Sequence, residues 1–188
     1  MILHIKNMVC DRCIMVVRQQ LEQLGFEVLN ISLGQVQIEP EPSEKQLLDI
    51  GASLDLLGFE LIDSEKDKLV AQIRNIIIEI VHHNSDGAEI NMNYSALLSE
   101  RLHKDYSYLS RLFSEHENRT IEKFIIQQKI EKVKELLEYG ELNMNEIALQ
   151  MGYSSSAHLS TQFKNVTGMS PSTYKQERKV ERQALDKI

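Results

Sequence analysis

The sequence predicts an α+β unit followed by an all-α unit, and three observations carry that prediction. The first 63 residues alternate short apolar strands with two helical stretches in the order βαββαβ. From Asn91 onward the chain repeats itself at an offset of 50 residues without a gap. Between the two, Ser64 to His83 has the periodicity of one helix, with no Pro or Gly inside it.

Met1 to Met8 alternates loosely around Ile2, Leu3 and Ile5 and reads as a strand. Val9-Cys10-Asp11-Arg12-Cys13 is a loop running into a helix, Ile14 to Leu24, which Gly25 stops. Val28 to Ser32 and Gln35 to Glu39 are strands joined by a tight turn at Leu33-Gly34. Ser43 and Gln46 form a capping box for a helix through Leu57, stopped by Gly58, and Phe59 to Ile62 is the last strand. This is the ferredoxin-like order. The segment resembles the heavy-metal-associated domains of copper chaperones and metal-pumping ATPases. The residues that carry the resemblance are Met8-Val9-Cys10-Asp11-Arg12-Cys13 at the first strand–helix junction and Gly58-Phe59 before the last strand.

Ser64 and Asp67 can cap the next helix, in which Leu69, Ile73, Ile76 and Ile80 recur at heptad spacing, widened by Val70, Ile77 and Val81. Two readings stand: a helix packed on one of the units, or a homodimer seam through Ser64–His83. His82 to Gly87 is polar and ends in Gly, as expected of a hinge, with His82 and His83 solvated. The expected domains are therefore 1–63, a linker over 64–90, and 91–188.

In the repeat, Leu97 aligns with Ile147, Leu98 with Ala148, Leu109 with Leu159, Phe113 with Phe163, Thr120 with Ser170 and Phe124 with Tyr174. The second copy reads as a helix capped by Asn143 and Glu146 and ended by Gly152. A helix capped by Ser155 follows, with Leu159 and Phe163 inward. The first copy then has a scaffold helix over Tyr94–Leu102 and a recognition helix over Asp105–Glu115. Ile121 to Tyr139 is a connecting helix with a core-facing stripe of Ile121, Phe124, Ile125, Val133, Leu136 and Leu137. Pro171 sits in the first turn of a last helix, where its missing N–H costs nothing. Scaffold helix, sharp turn and a second helix with a polar outer face make a helix-turn-helix, and here there are two. The stretch EIALQMGYSSSAHLSTQFKNVTGMSPSTYK resembles the second helix-turn-helix of AraC/XylS transcription regulators, and 91–178 matches that architecture.

Net charge is −7, and its division bears on function. Residues 1–90 carry 7 Lys/Arg against 15 Asp/Glu, and 91–188 carry 14 against 13. Only the C-terminal half can face a phosphate backbone. Apolar runs such as Ile76 to Ile78 are far too short for a bilayer, and no secretory stretch follows Met1 to Ile5. The expected location is the cytoplasm.

The resemblance implies base reading of double-stranded promoter DNA by two outer faces. The first displays Tyr106, Ser107, Tyr108, Ser110 and Arg111, with Arg111 at the family's base-reading position. The second displays Ser156, His158, Thr161, Gln162 and Lys164, with Thr161 where the family commonly has Arg. Arg can bond guanine O6 and N7 together, whereas Thr and Gln read adenine or a thymine methyl. His103, Lys104 and Ser154 are candidates for phosphate contacts.

Cys10 and Cys13 are the other chemical signal. At a helix N-terminus the dipole favours thiolates, so Cys13 is expected to be the more acidic thiol. Two soft sulfurs suit Cu(I), the resemblance keeps Met8 beneath the loop instead of ligating, and a dithiol redox switch or an inert remnant are the alternatives. No nucleophile–base–acid arrangement is present, so no enzyme is expected. The AraC-like alkyl-repair proteins need four Cys in their metal site, and this chain has two. The expected function is a DNA-binding transcription regulator responding to Cu(I) or thiol redox state. The alternative is a metal-binding carrier or adaptor whose helical half contacts protein.

Overall fold

The computed structural model describes residues 1–83, 93–177, 184–186 and 188. Asn84 to Gly87 of the expected hinge lie outside the described residues. The chain divides into two compact units, Met1–Asn75 and Ile76–Ile188, and the boundary falls within the expected 64–90 segment.

The first unit runs β1 (Ile2–Lys6), α1 (Asp11–Gln23), β2 (Glu27–Ser32), β3 (Gln35–Glu39), α2 (Glu44–Asp55) and β4 (Glu60–Leu61). Its sheet has the order β2-β3-β1-β4 with every pair antiparallel. Period-two alternation sends Leu3, Ile5, Val36 and Ile38 to one face. There they join Val17 and Leu21 of α1 and Ile50 and Leu54 of α2 in one core. Ser43 and Gln46 form the expected capping box on α2. Gly34 turns the β2–β3 hairpin at φ +82°, and a side chain there would collide with Asn75, which donates to the Leu33 carbonyl at 3.1 Å. The first helix starts at Asp11, three residues before the expected Ile14, because Cys10 takes the extended N-cap conformation. Cys13 therefore stands in the first helical turn.

Helix α3 (Glu65–Ile78) continues into a π-helical turn over Glu79–His83. Val70, Ala71, Ile73, Ile77, Ile78, Ile80 and Val81 are buried within the chain. Of the proposed seam, Leu69 and Ile76 stay half covered.

The second unit contains α4 (Tyr94–Leu102), α5 (Tyr106–Glu117), α6 (Ile121–Tyr139), α7 (Met144–Gln150), α8 (Ser156–Thr167) and α9 (Pro171–Glu177). The repeat is visible in three dimensions. Phe113 meets Phe124 at 5.6 Å between ring centroids, and Phe163 meets Tyr174 at 5.5 Å. Thr120 caps α6 and Ser170 accepts from Thr173 N–H at the corresponding place. Asn118 takes the left-handed conformation where the second copy has Gly168.

The connecting helix α6 is buried more widely than its apolar stripe predicts. Gln128, Glu131 and Lys134 are also enclosed, while Leu136 is only half covered. Glu131 and Lys134 form an ion pair one turn apart, and the Gln128 Oε1 accepts from His82 Nε2 at 2.8 Å. His82 is thus held against α6, correcting the expectation of a solvated residue. Burial, aided by the Lys132 charge, pulls its pKa down to about 4, although Gln128 opposes the shift.

The folded chain therefore binds this proton less tightly than the unfolded chain. The contribution of neutral His82 is complete above the ordinary histidine pKa of about 6.5 and is lost as pH falls toward 4. Urea unfolding should show wild type losing about 2 kcal/mol more than His82→Gln between about pH 7 and pH 5. Parallel pH profiles for the two proteins would remove His82 as the cause.

Candidate nucleic-acid interface

Two helix pairs, α4–α5 and α7–α8, each pack through a short turn, and α6 packs against both α5 and α8. The first turn is made by His103, which caps α4 in the left-handed conformation, and by Lys104 and Asp105. In the second, Asn143 and Glu146 form the capping box of α7, Met151 ends it, and Gly152 follows at φ +73°. Ser155 then caps α8 by accepting from the His158 N–H.

Leu109 and Leu112 with Phe113 anchor the inner side of α5; Leu159 and Phe163 anchor that of α8. The periodicity that buries them leaves Ser107, Tyr108 and Arg111 exposed on α5, and His158, Thr161 and Lys164 exposed on α8. Ser110, Ser156 and Gln162 are half-buried at the margins.

Several of the expected groups are already committed locally. The Tyr106 hydroxyl donates to Glu122 at 2.6 Å, so it ties α5 to the first turn of α6 instead of standing free on the outer face. Burial and the Glu122 carboxylate together push the Tyr106 phenol pKa up, and the same bond lowers that of Glu122. His158 meets Ser154 Oγ through Nδ1 at 3.2 Å and stands edge-on to the Tyr153 ring. Thr161 turns its hydroxyl back to the Ala157 carbonyl at 2.9 Å, so its proton is already engaged. Sequence reasoning missed these ties because each depends on which neighbouring turn lies within reach. It also passed over Ala157 and Asn165, both exposed on α8.

Cys10 and Cys13 lie with their sulfurs 3.5 Å apart, and Met8 is fully buried in the core of the first unit. Burial pushes the Cys13 thiol pKa up, outweighing the hydrogen bond from the Val9 backbone. The expected acidification of Cys13 is therefore corrected in direction: desolvation of the thiolate is the largest effect on it. Two sulfurs at this separation can both reach one soft ion through bonds of about 2.3 Å. Among the described residues no group of three or more His, Cys, Asp or Glu could hold a metal. His4 is half-covered on β1, where burial lowers its pKa. No helix of the described residues is long and apolar enough to cross a membrane.

Residues 98–177 match the family model described as a helix-turn-helix domain. The chain is 29% identical over 148 residues to the Msm operon regulatory protein of Streptococcus mutans serotype c, covering 73% of this chain and 50% of that protein. It is 33% identical over 78 residues to the raffinose operon transcriptional regulatory protein RafR of Pediococcus pentosaceus, covering 42% of this chain and 28% of that protein. The chain thus spans half or less of these curated relatives. Among solved structures, the C-terminal domain of AraT, a response regulator from Geobacillus stearothermophilus, superposes with a TM-score of 0.52 at 27% identity. That match covers 63% of this chain and 92% of that one.

Proposed function

We propose that this chain, whose C-terminal unit is an AraC-type helix-turn-helix domain, is a sequence-specific regulator of transcription that binds double-stranded promoter DNA. The matches point to such a regulator and not to an enzyme. The observation that carries the reading is the duplicated helix pair on one connecting helix, with Arg111 and Lys164 exposed on the two second helices. Two such helices can enter successive major-groove segments.

The first unit is read as a ferredoxin-like sensor resembling heavy-metal-associated domains. Its βαββαβ order and the β2-β3-β1-β4 sheet support that reading. Cys10 and Cys13 would hold Cu(I), which when bound supplies soft-metal crosslinking of two thiolates; a dithiol switch uses the same pair. A homodimer through Ser64–His83 would have to use Leu69 and Ile76, the seam positions left half covered.

The test is selection of bound fragments from genomic DNA by the purified chain, with and without Cu(I) and reductant. A shared sequence among retained fragments is expected, with occupancy that changes on adding Cu(I) or removing reductant. Shallow, sequence-blind retention would overturn the reading in favour of a carrier or adaptor. Sequence-specific retention indifferent to both additions would leave the regulator and remove the sensor.

A further inference from the structure

Lys129 stands midway along α6, and its ammonium group touches both helix pairs. The Nζ donates to the Met151 carbonyl at 3.0 Å, at the C-terminal end of α7. It lies 5.6 Å from the centroid of the Tyr94 ring and 5.7 Å from that of Tyr153. Tyr94 is the first residue of α4, and Tyr153 stands in the turn between α7 and α8. Both phenol oxygens are enclosed without a hydrogen-bond partner among the described residues.

A cation here costs desolvation, and burial does lower the Lys129 pKa. Packing alone would be served as well by Met or Leu. What a cation adds is direction: a charge-assisted bond to an orphan carbonyl at a helix end, and attraction to two ring faces within about 6 Å. An apolar contact tolerates sliding, but a group bonded to α7 and facing rings from both pairs does not.

We infer that Lys129 is a positioning residue for DNA recognition, clamping Tyr94 and Tyr153 so that α5 and α8 are held at one separation and angle. The inference rests on the reading that the two pairs bind DNA together. Its consequence is a fixed spacing between the two half-sites read by the chain, since each base pair of displacement rotates one half-site around the duplex relative to the other.

The experiment uses the full chain as wild type, Lys129→Met, Lys129→Arg and Tyr94→Leu. A site selected by wild type from random DNA is rebuilt with base pairs inserted or deleted between its halves, and affinities are measured across that series. Wild type should lose about tenfold or more on a change of two base pairs, and Lys129→Met should flatten this to about threefold. Lys129→Arg should restore the preference, and Tyr94→Leu should follow Lys129→Met, which also decides the matter if the methionine variant does not fold. A Lys129→Met protein with the wild-type spacing profile, whatever its affinity, overturns the inference. Residual dipolar couplings give a reading independent of DNA. One alignment tensor should fit both pairs in wild type and two should be needed in Lys129→Met; a single tensor in both overturns the clamp. If wild type selects no site at all, the regulator reading fails, and the couplings alone decide whether Lys129 fixes the two pairs.

Discussion

Phe163→Ala should cost the second unit about 3–5 kcal/mol, the range for removing a fully enclosed aromatic ring that its surroundings cannot collapse onto. Phe163 has no exposed surface and sits edge-on to Tyr174. The Tyr174 hydroxyl in turn donates to Glu138 at 2.7 Å, so the ring pair joins α8, α9 and the end of α6. Removing the ring leaves a cavity where those helices meet and loosens the support of the whole outer face of α8. Phe163→Leu keeps most of the volume and should cost about 1–1.5 kcal/mol. The measurement is urea unfolding followed by helix signal. A loss below about 1 kcal/mol for the alanine variant would mean that α8 is not anchored through this ring.

Phe113 makes the same wager in the first copy, against Phe124. That symmetry was legible in the sequence because an ungapped 50-residue offset preserves every inward position, and inward positions are set by helical periodicity alone. Capping was legible for a similar reason: Ser43 with Gln46 and Asn143 with Glu146 act over three residues, so no tertiary information is needed. The start of α1 was misplaced because Cys10, a residue without a capping hydrogen bond, occupies the N-cap position. The acidity of Cys13 was misjudged because desolvation depends on what covers the thiol, which spacing does not reveal. Buried polar residues were the hardest to foresee. Gln128, Lys129, Glu131 and Lys134 lie outside the apolar stripe of α6, and Gln128 and Lys129 meet partners only when His82, Met151 and two tyrosine rings are brought to them. Binary patterning identifies apolar faces well, but it has no term for a polar group whose partner arrives from a distant part of the chain.

Arg111→Ala should weaken binding to a selected DNA site by about 1–3 kcal/mol and relax the preference at one base pair. Arg111 is exposed on α5, four residues before the point where Glu115 brings negative charge to the same helix. Its neighbours on the same face, Ser107 and Tyr108, are exposed with it. On α8 the aligned position is Thr161, whose hydroxyl is turned back to Ala157. The two faces therefore differ in kind: α5 offers a forked cationic donor, α8 an engaged hydroxyl at Thr161 and an amide at Gln162. Because the fork is what reads guanine, Arg111→Lys should keep the charge and still fail to restore selectivity. Lys164→Ala is the contrasting case. Its single charge should weaken binding to all sequences alike and lower the salt slope by about 1. Competition binding of each variant against a panel of single-base changes, at two salt concentrations, separates these outcomes. If Arg111→Ala loses affinity equally for every sequence, Arg111 meets the backbone; if it loses none, α5 is not the helix that chooses the DNA.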